Sequence, residues 1–99
     1  VGKRRVTILE PVIEEVAKIA FFIESEGLPS TAKKFVDEAF VFFGNLSSNK
    51  IIHRPCKYVP WLALNYRCAN FRKKYIVAYI DNSKEIVICD FALQKGLID

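Results

Sequence analysis

Apolar and polar positions follow two different periods along this chain, and the change falls near Trp61. Val6-Thr7-Ile8-Leu9 is apolar and β-branched and predicts a short first strand. Glu10 and Pro11 end it, and a proline suits the first turn of a helix because its missing N–H leaves no bond unmade. From there Val12, Val16, Ile19 and Ile23, with Ile13, Ala17 and Ala20, predict one broad apolar helix face. Glu14 and Lys18 stand four apart on the solvent side and offset each other's charge. Gly27-Leu28-Pro29-Ser30 predicts a break: Gly27 takes the left-handed C-terminal position, Pro29 bars continuation and Ser30 caps the next helix. That second helix carries Ala32, Phe35, Val36, Ala39, Phe43 and Leu46 on one face, and Lys33, Lys34, Asp37 and Glu38 on the other. Gly44-Asn45 marks its end. So short a link between two amphipathic helices predicts an antiparallel hairpin.

Ser47 to Pro60 has no sustained period, is basic, and holds the single histidine, His53. Pro55 and Pro60 argue against a central strand there. Beyond Trp61 the period is two. Leu64 to Phe71 predicts a strand, Arg72-Lys73-Lys74 a solvated basic turn, and Tyr75 to Ile80 the strongest strand of the chain. Asp81 to Lys84 is a polar turn, and Ile86 to Cys89 is a further strand that Phe91 continues. Connections this short predict an antiparallel meander. The expected fold is α+β, in the order β-α-α-β-β-β, with residues 1–99 as a single domain. The helical hairpin packs on one face of a small, mainly antiparallel sheet, so that the two apolar surfaces bury each other. Strand order in the sheet is left open by these patterns.

Composition changes this picture little. An apolar fraction of 52% against 26% charged residues fits a folded globule. No apolar run approaches the roughly 20 residues that span a bilayer, and the basic start before Glu10 is too short for a signal peptide. Cys56, Cys68 and Cys89 are odd in number and widely spaced, which suits neither a disulfide framework nor a zinc site. Cys68 and Cys89 are therefore expected as small buried hydrophobes, in a reducing, cytoplasmic setting without metal or cofactor. The formal net charge of +4 permits a nucleic-acid or an acidic protein partner and selects neither.

Three local sequences, taken in order, resemble the RelE/ParE superfamily of toxins from type II toxin–antitoxin (plasmid stabilisation) systems. They are Ser30-Thr31-Ala32-Lys33-Lys34-Phe35, Tyr66-Arg67, and Tyr75-Ile76-Val77-Ala78-Tyr79 followed by a polar turn and Glu85-Ile86-Val87-Ile88. The resemblance covers nearly the whole chain. It implies growth inhibition and neutralisation by a cognate antitoxin. It also implies one of two activities: ParE-like members inhibit DNA gyrase, whereas RelE-like members enter the ribosome and cut messenger RNA. A degenerate toxin that keeps only antitoxin binding is the third possibility.

RelE-like nucleases place basic residues before and on the first meander strand, and an Arg with a Tyr or His near the end of the last strand. Arg54 and Lys57 match the early basic positions and Arg67 the strand arginine. From Cys89 onward there is no Arg, Tyr or His, and Lys95 is the basic residue left. Cleavage through a 2′-hydroxyl needs a proton acceptor, a proton donor and cations on the phosphate. Arginine accepts protons poorly near neutral pH, and His53 alone has a suitable intrinsic pKa. The missing C-terminal groups favour the ParE-like reading. Phe22, Trp61, Arg67, Arg72, Lys73 and Lys74 are the candidate partner-surface residues, with Phe22 and Trp61 as exposed apolar positions. Tyr75 and Tyr79 share one strand face and are expected over the hairpin, while Tyr66 fits either side of the sheet.

Overall fold

The computed structural model describes residues 4–48, 53–82 and 84–96. The chain runs β1 (Arg5–Ile8), α1 (Glu10–Ser25), α2 (Pro29–Asn45), α3 (Val59–Ala63), β2 (Arg67–Phe71), β3 (Tyr75–Asp81) and β4 (Glu85–Leu93), closing on a 3-10 turn at Gln94–Gly96. The sheet order is β1-β4-β3-β2. The meander strands pair antiparallel, while β1 returns parallel to β4 with Val6 beside Ile86 and Ile8 beside Ile88. Arg4 anchors this first strand through an ion pair to Asp81, and the Thr7 hydroxyl donates to Glu85 Oε2 at 2.9 Å.

The helical hairpin lies on one face of the sheet. Gly27 has φ +83°, the left-handed value that ends α1. Ser30 does not cap α2: the helix starts at Pro29, Leu28 holds the cap position, and no side chain caps it. Proline already has the helical φ, so Pro29 opens the helix and Ser30 falls inside its first turn. The face expected on α2 is buried as a whole, with Phe35, Ala39, Phe43 and Leu46 in the core and Val36 packed against it. Its polar side carries the pairs Lys33–Asp37 at 3.3 Å and Lys34–Glu38 at 3.9 Å. On α1 the buried stripe is narrower than expected. Val12, Val16, Ile19 and Ile23 meet the core, but Ile13 and Ala17 stay exposed, and Lys18 pairs with Glu15 at 3.8 Å rather than with Glu14.

The opposite face of the sheet is covered too. Cys56, Trp61 and Ala78 form a second buried cluster, joined by Tyr58, Tyr66, Cys68, Ile76 and Ala92. This corrects two expectations. The proline-rich stretch is not wholly irregular, because Pro60 sits in the first turn of α3. Trp61 is buried under that short helix rather than exposed, with Tyr58 edge-on at 5.2 Å between ring centroids. The first meander strand also starts later than expected, at Arg67. Asn65, with φ 62°, turns the chain out of α3 before the strand can begin.

A third correction concerns the cysteines. Cys56 and Cys68 are disulfide-bonded, with Cα atoms 4.9 Å apart, and only Cys89 is a free, buried thiol. Residues 54–56 run beside the start of β2, with Cys56 N–H donating to the Tyr66 carbonyl at 3.0 Å and Cys68 N–H to the Arg54 carbonyl at 3.1 Å. That long-range pairing is invisible to a count of cysteines and spacings, and Cys68 is a disulfide partner rather than a free buried thiol.

The basic turn between β2 and β3 is anchored as well as solvated. Arg72 and Lys73 have φ of 54° and 63°, an uncommon conformation for residues other than glycine. Arg72 forms an ion pair with Glu38, its Nε donating at 3.1 Å, and its guanidinium lies 5.3 Å from the Phe35 ring centre and 5.6 Å from that of Phe71. These contacts tie the hairpin tip to α2. Replacing Arg72 with Ala should lower stability by about 1 kcal/mol, combining a partly exposed ion pair with a cation–π contact. Urea denaturation measures it, and an unmoved midpoint would mean that the tip is held by its backbone alone.

Candidate functional site

Alternation along β2 sends Arg67, Ala69 and Phe71 toward the helices and Cys68 and Asn70 away from them. Arg67 lies opposite Tyr79 of β3. Its Nη1 donates to the His53 carbonyl at 2.7 Å, and the Tyr79 hydroxyl meets His53 Nδ1 at 2.7 Å. Burial, then the Arg67 charge, lowers the His53 pKa, while burial and Asp81 raise that of Tyr79. Both shifts favour a neutral imidazole and a protonated phenol. One hydrogen bond, between the Tyr79 hydroxyl and His53 Nδ1, joins these neutral groups. Nδ1 of His53 is already engaged, inside the protein, with a buried tyrosine.

The same pair predicts a pH effect. A His whose folded-state pKa lies below its unfolded value of about 6.5 binds protons more readily in the unfolded chain. Its contribution to stability is present above that pH and is lost as the pH falls through the folded-state value. The melting temperature should thus drop from about pH 7.5 to about pH 5.5, and the drop should be shallower in His53→Gln. Parallel slopes for the two proteins would show that His53 is not the titrating group.

On the other face, a cleft of about 360 Å³ opens between the 54–58 segment and the sheet. Arg54, Lys57, Tyr58, Cys68, Asn70 and Gln94 are among its lining residues. Tyr66 lies on this side, in the second cluster, where burial and the neighbouring Cys89 and Asp90 raise its pKa. Lys95 is exposed in the closing turn, where Gln94 rather than Lys95 reaches the cleft. The sheet therefore divides the candidate nuclease groups: Arg54 and Lys57 on one face, Arg67 and His53 on the other, and Lys95 at the end of the chain. Tyr58, Asn70 and Gln94 escaped the sequence reading. Asn70 had a signal, since it alternates with Cys68, but Gln94 reaches the cleft only through the turn whose N–H donates to the Lys74 carbonyl at 2.8 Å.

Exposed apolar side chains stand on α1, on α2 at Val41 and around α3 at Val59, Leu62 and Leu64, and the two most exposed are aromatics of α1. Phe22 is 64% exposed, as its place among charged residues suggested, and Phe21, overlooked in the pattern, is 71% exposed. Beside Phe21 a shallow hollow is lined by Glu14, Ala17 and Lys18. Lys73 and Lys74 are exposed at the hairpin tip, with no ion pair among the described residues.

A helical hairpin laid on a four-stranded sheet in this order, with basic groups on both faces, defines a small α+β protein of RelE/ParE type. Across residues 6–95 the chain matches the family described as ParE toxin of type II toxin-antitoxin system, parDE, and it belongs to that family. Among curated proteins none matches the chain. Membership carries a toxin role and a cognate antitoxin as partner. Among the described residues no helix is long and apolar enough to cross a membrane.

Proposed function

We propose that this toxin acts by binding a protein target, DNA gyrase, and that its antitoxin neutralises it by covering the outer face of α1 around Phe21 and Phe22. The observation that carries the first part is the division of the basic groups by the sheet. A ribonuclease must gather a proton acceptor, a proton donor and phosphate-binding cations around one scissile bond. Here Arg54 and Lys57 line the cleft on the far face of the sheet, whereas His53 and Arg67 face the helices, and His53 Nδ1 is bonded to Tyr79. After Ile88 the chain supplies only Asp90 and Lys95 as charged side chains among the described residues. A binding toxin has no such requirement and can use an exposed surface.

The cleft itself supports the second reading, a RelE-like ribonuclease, since Arg54 and Lys57 with Tyr58 and Asn70 would hold a phosphate beside a base. Induced expression separates the two. Pulse labelling should show DNA synthesis falling before protein synthesis, primer extension should find no new message ends, and the purified chain should inhibit gyrase supercoiling. Arg67→Ala weakens toxicity only if the target reaches the helix side of β2, and His53→Ala should be nearly neutral. Prompt cuts in messenger RNA that disappear in Arg54→Ala or Lys57→Ala would sink the gyrase reading and place the chemistry in the cleft.

A further inference from the structure

One wall of the cleft on the far face of the sheet holds a cysteine pair that neither the toxin role nor the proposed target uses. The Cys56–Cys68 bond spans 12 residues of sequence and lies where residues 54–56 run alongside β2. The two sulfurs differ in access: Cys56 is buried in the second cluster, whereas Cys68 is half-buried and lines the cleft. Arg54 and Lys57 line the same cleft, so an anion that enters it meets positive charge. Cys89, the third cysteine, is buried and free, and burial raises its pKa, which makes it a poor exchange partner.

We propose that Cys56 and Cys68 form a reversible thiol–disulfide exchange site for an acidic small thiol of the glutathione class, whose redox state sets how firmly the Arg54–Tyr58 wall is held to β2. In the reducing direction the small thiolate attacks Cys68 Sγ and the bond to Cys56 breaks. Cys56 leaves with the electron pair and takes a proton. A second small thiolate then attacks the small-molecule sulfur of the mixed disulfide, and Cys68 is released as a thiolate that is protonated in turn. The protein gains two electrons and two protons, while two small thiols become one small disulfide. The reverse reaction uses that disulfide as the oxidant.

In the reduced form the wall is held to β2 by non-covalent contacts. They include the Cys56 N–H to Tyr66 and Cys68 N–H to Arg54 hydrogen bonds and the Arg67 bond to the His53 carbonyl. Bonds at the start of an edge strand open locally at low cost. Arg54, Lys57 and Tyr58 would then lose their fixed place along the cleft, whichever target that surface meets.

The test uses the full chain equilibrated in glutathione buffers of graded thiol-to-disulfide ratio, then acid-quenched, denatured and alkylated for a thiol count by mass. One thiol, Cys89, is expected at the oxidising end and all three at the reducing end. Amide exchange at Cys56 and Cys68 should rise on the order of 10-fold upon reduction, with Val77 and Ile88 unchanged. Cys89→Ser should keep the transition, and Cys56→Ser should take up glutathione at Cys68. The proposal fails if three thiols are found at every ratio, if reduction leaves exchange across residues 54–68 unaltered, or if Cys89→Ser abolishes the transition.

Discussion

Replacing Val77 with Asp should unfold this protein at ordinary temperature. Val77 is 0% exposed in β3, between Ala69 of β2 and Phe91 of β4, and it faces the core built by Phe35, Phe43 and Ile88. An aspartate there has no cationic partner in that core cluster. Burying an unpaired carboxylate costs several kcal/mol even after relaxation, roughly the whole of the 5–15 kcal/mol that holds a domain folded. The expected result is loss of the cooperative thermal transition, followed by circular dichroism. Asn70→Asp places the same charge on the exposed side of neighbouring β2 and should melt like the parent. A cooperative melt of Val77→Asp within about 4 °C of the parent, the shift that goes with about 1 kcal/mol, would mean that the hairpin and meander do not share one core.

The second large effect concerns the antitoxin. Changing Phe21 and Phe22 together to Asp should weaken antitoxin binding at least about 100-fold, the equivalent of about 2.7 kcal/mol, while leaving the melt of the free toxin nearly unchanged. Two adjacent aromatic side chains that face water are the kind of anchor that dominates protein interfaces, and their burial repays desolvation without disturbing the core. Wild-type toxin saturated with antitoxin at a thousand times its Kd should gain about 4.1 kcal/mol of apparent stability, and the double variant much less. Titration calorimetry with thermal melts of both proteins reads out the two quantities. Parent-like affinity in the double variant would move the antitoxin elsewhere. The outer edge of β1 is one alternative, since β1 is an end strand of the sheet and an added strand could pair there.

Much of the fold was legible because it is written locally. The helical faces of Phe35, Ala39 and Phe43, the break at Gly27-Leu28-Pro29 and the period-two run from Tyr75 each depend on neighbours a few residues away. Tyr75 and Tyr79 fell on the hairpin side as their spacing implied, Tyr75 against Phe35 with ring centres 5.5 Å apart and Tyr79 in the buried core. The candidate site was legible only as a set of residue types. Arg54, Lys57, Arg67 and His53 were all recognisable as chemistry-bearing, but a sheet has two faces. Which face each residue joins depends on a register set by partners across the chain.

The pattern of residues alone determined the element types, their order, the buried face of α2 and, through three short stretches, the family. Tertiary structure decided the rest, for a physical reason that recurs at each place. The register of β3 on β4 shifts between Ala78 and Tyr79, which leaves Cys89 as an extra residue and brings Phe91 onto the same face as Ile86 and Ile88. Strict alternation from Ile86 would have sent Phe91 to the opposite side, and the bulge lets the core claim that aromatic. The Cys56–Cys68 bond, the Arg4–Asp81 pair that ties the start of β1 to the end of β3, and the Tyr79 hydroxyl that meets His53 likewise join residues far apart in sequence. Periodicity and propensity carry information over a few turns of chain. These contacts exist only once the hairpin and the sheet have closed on each other, and they determine which charged groups share a face.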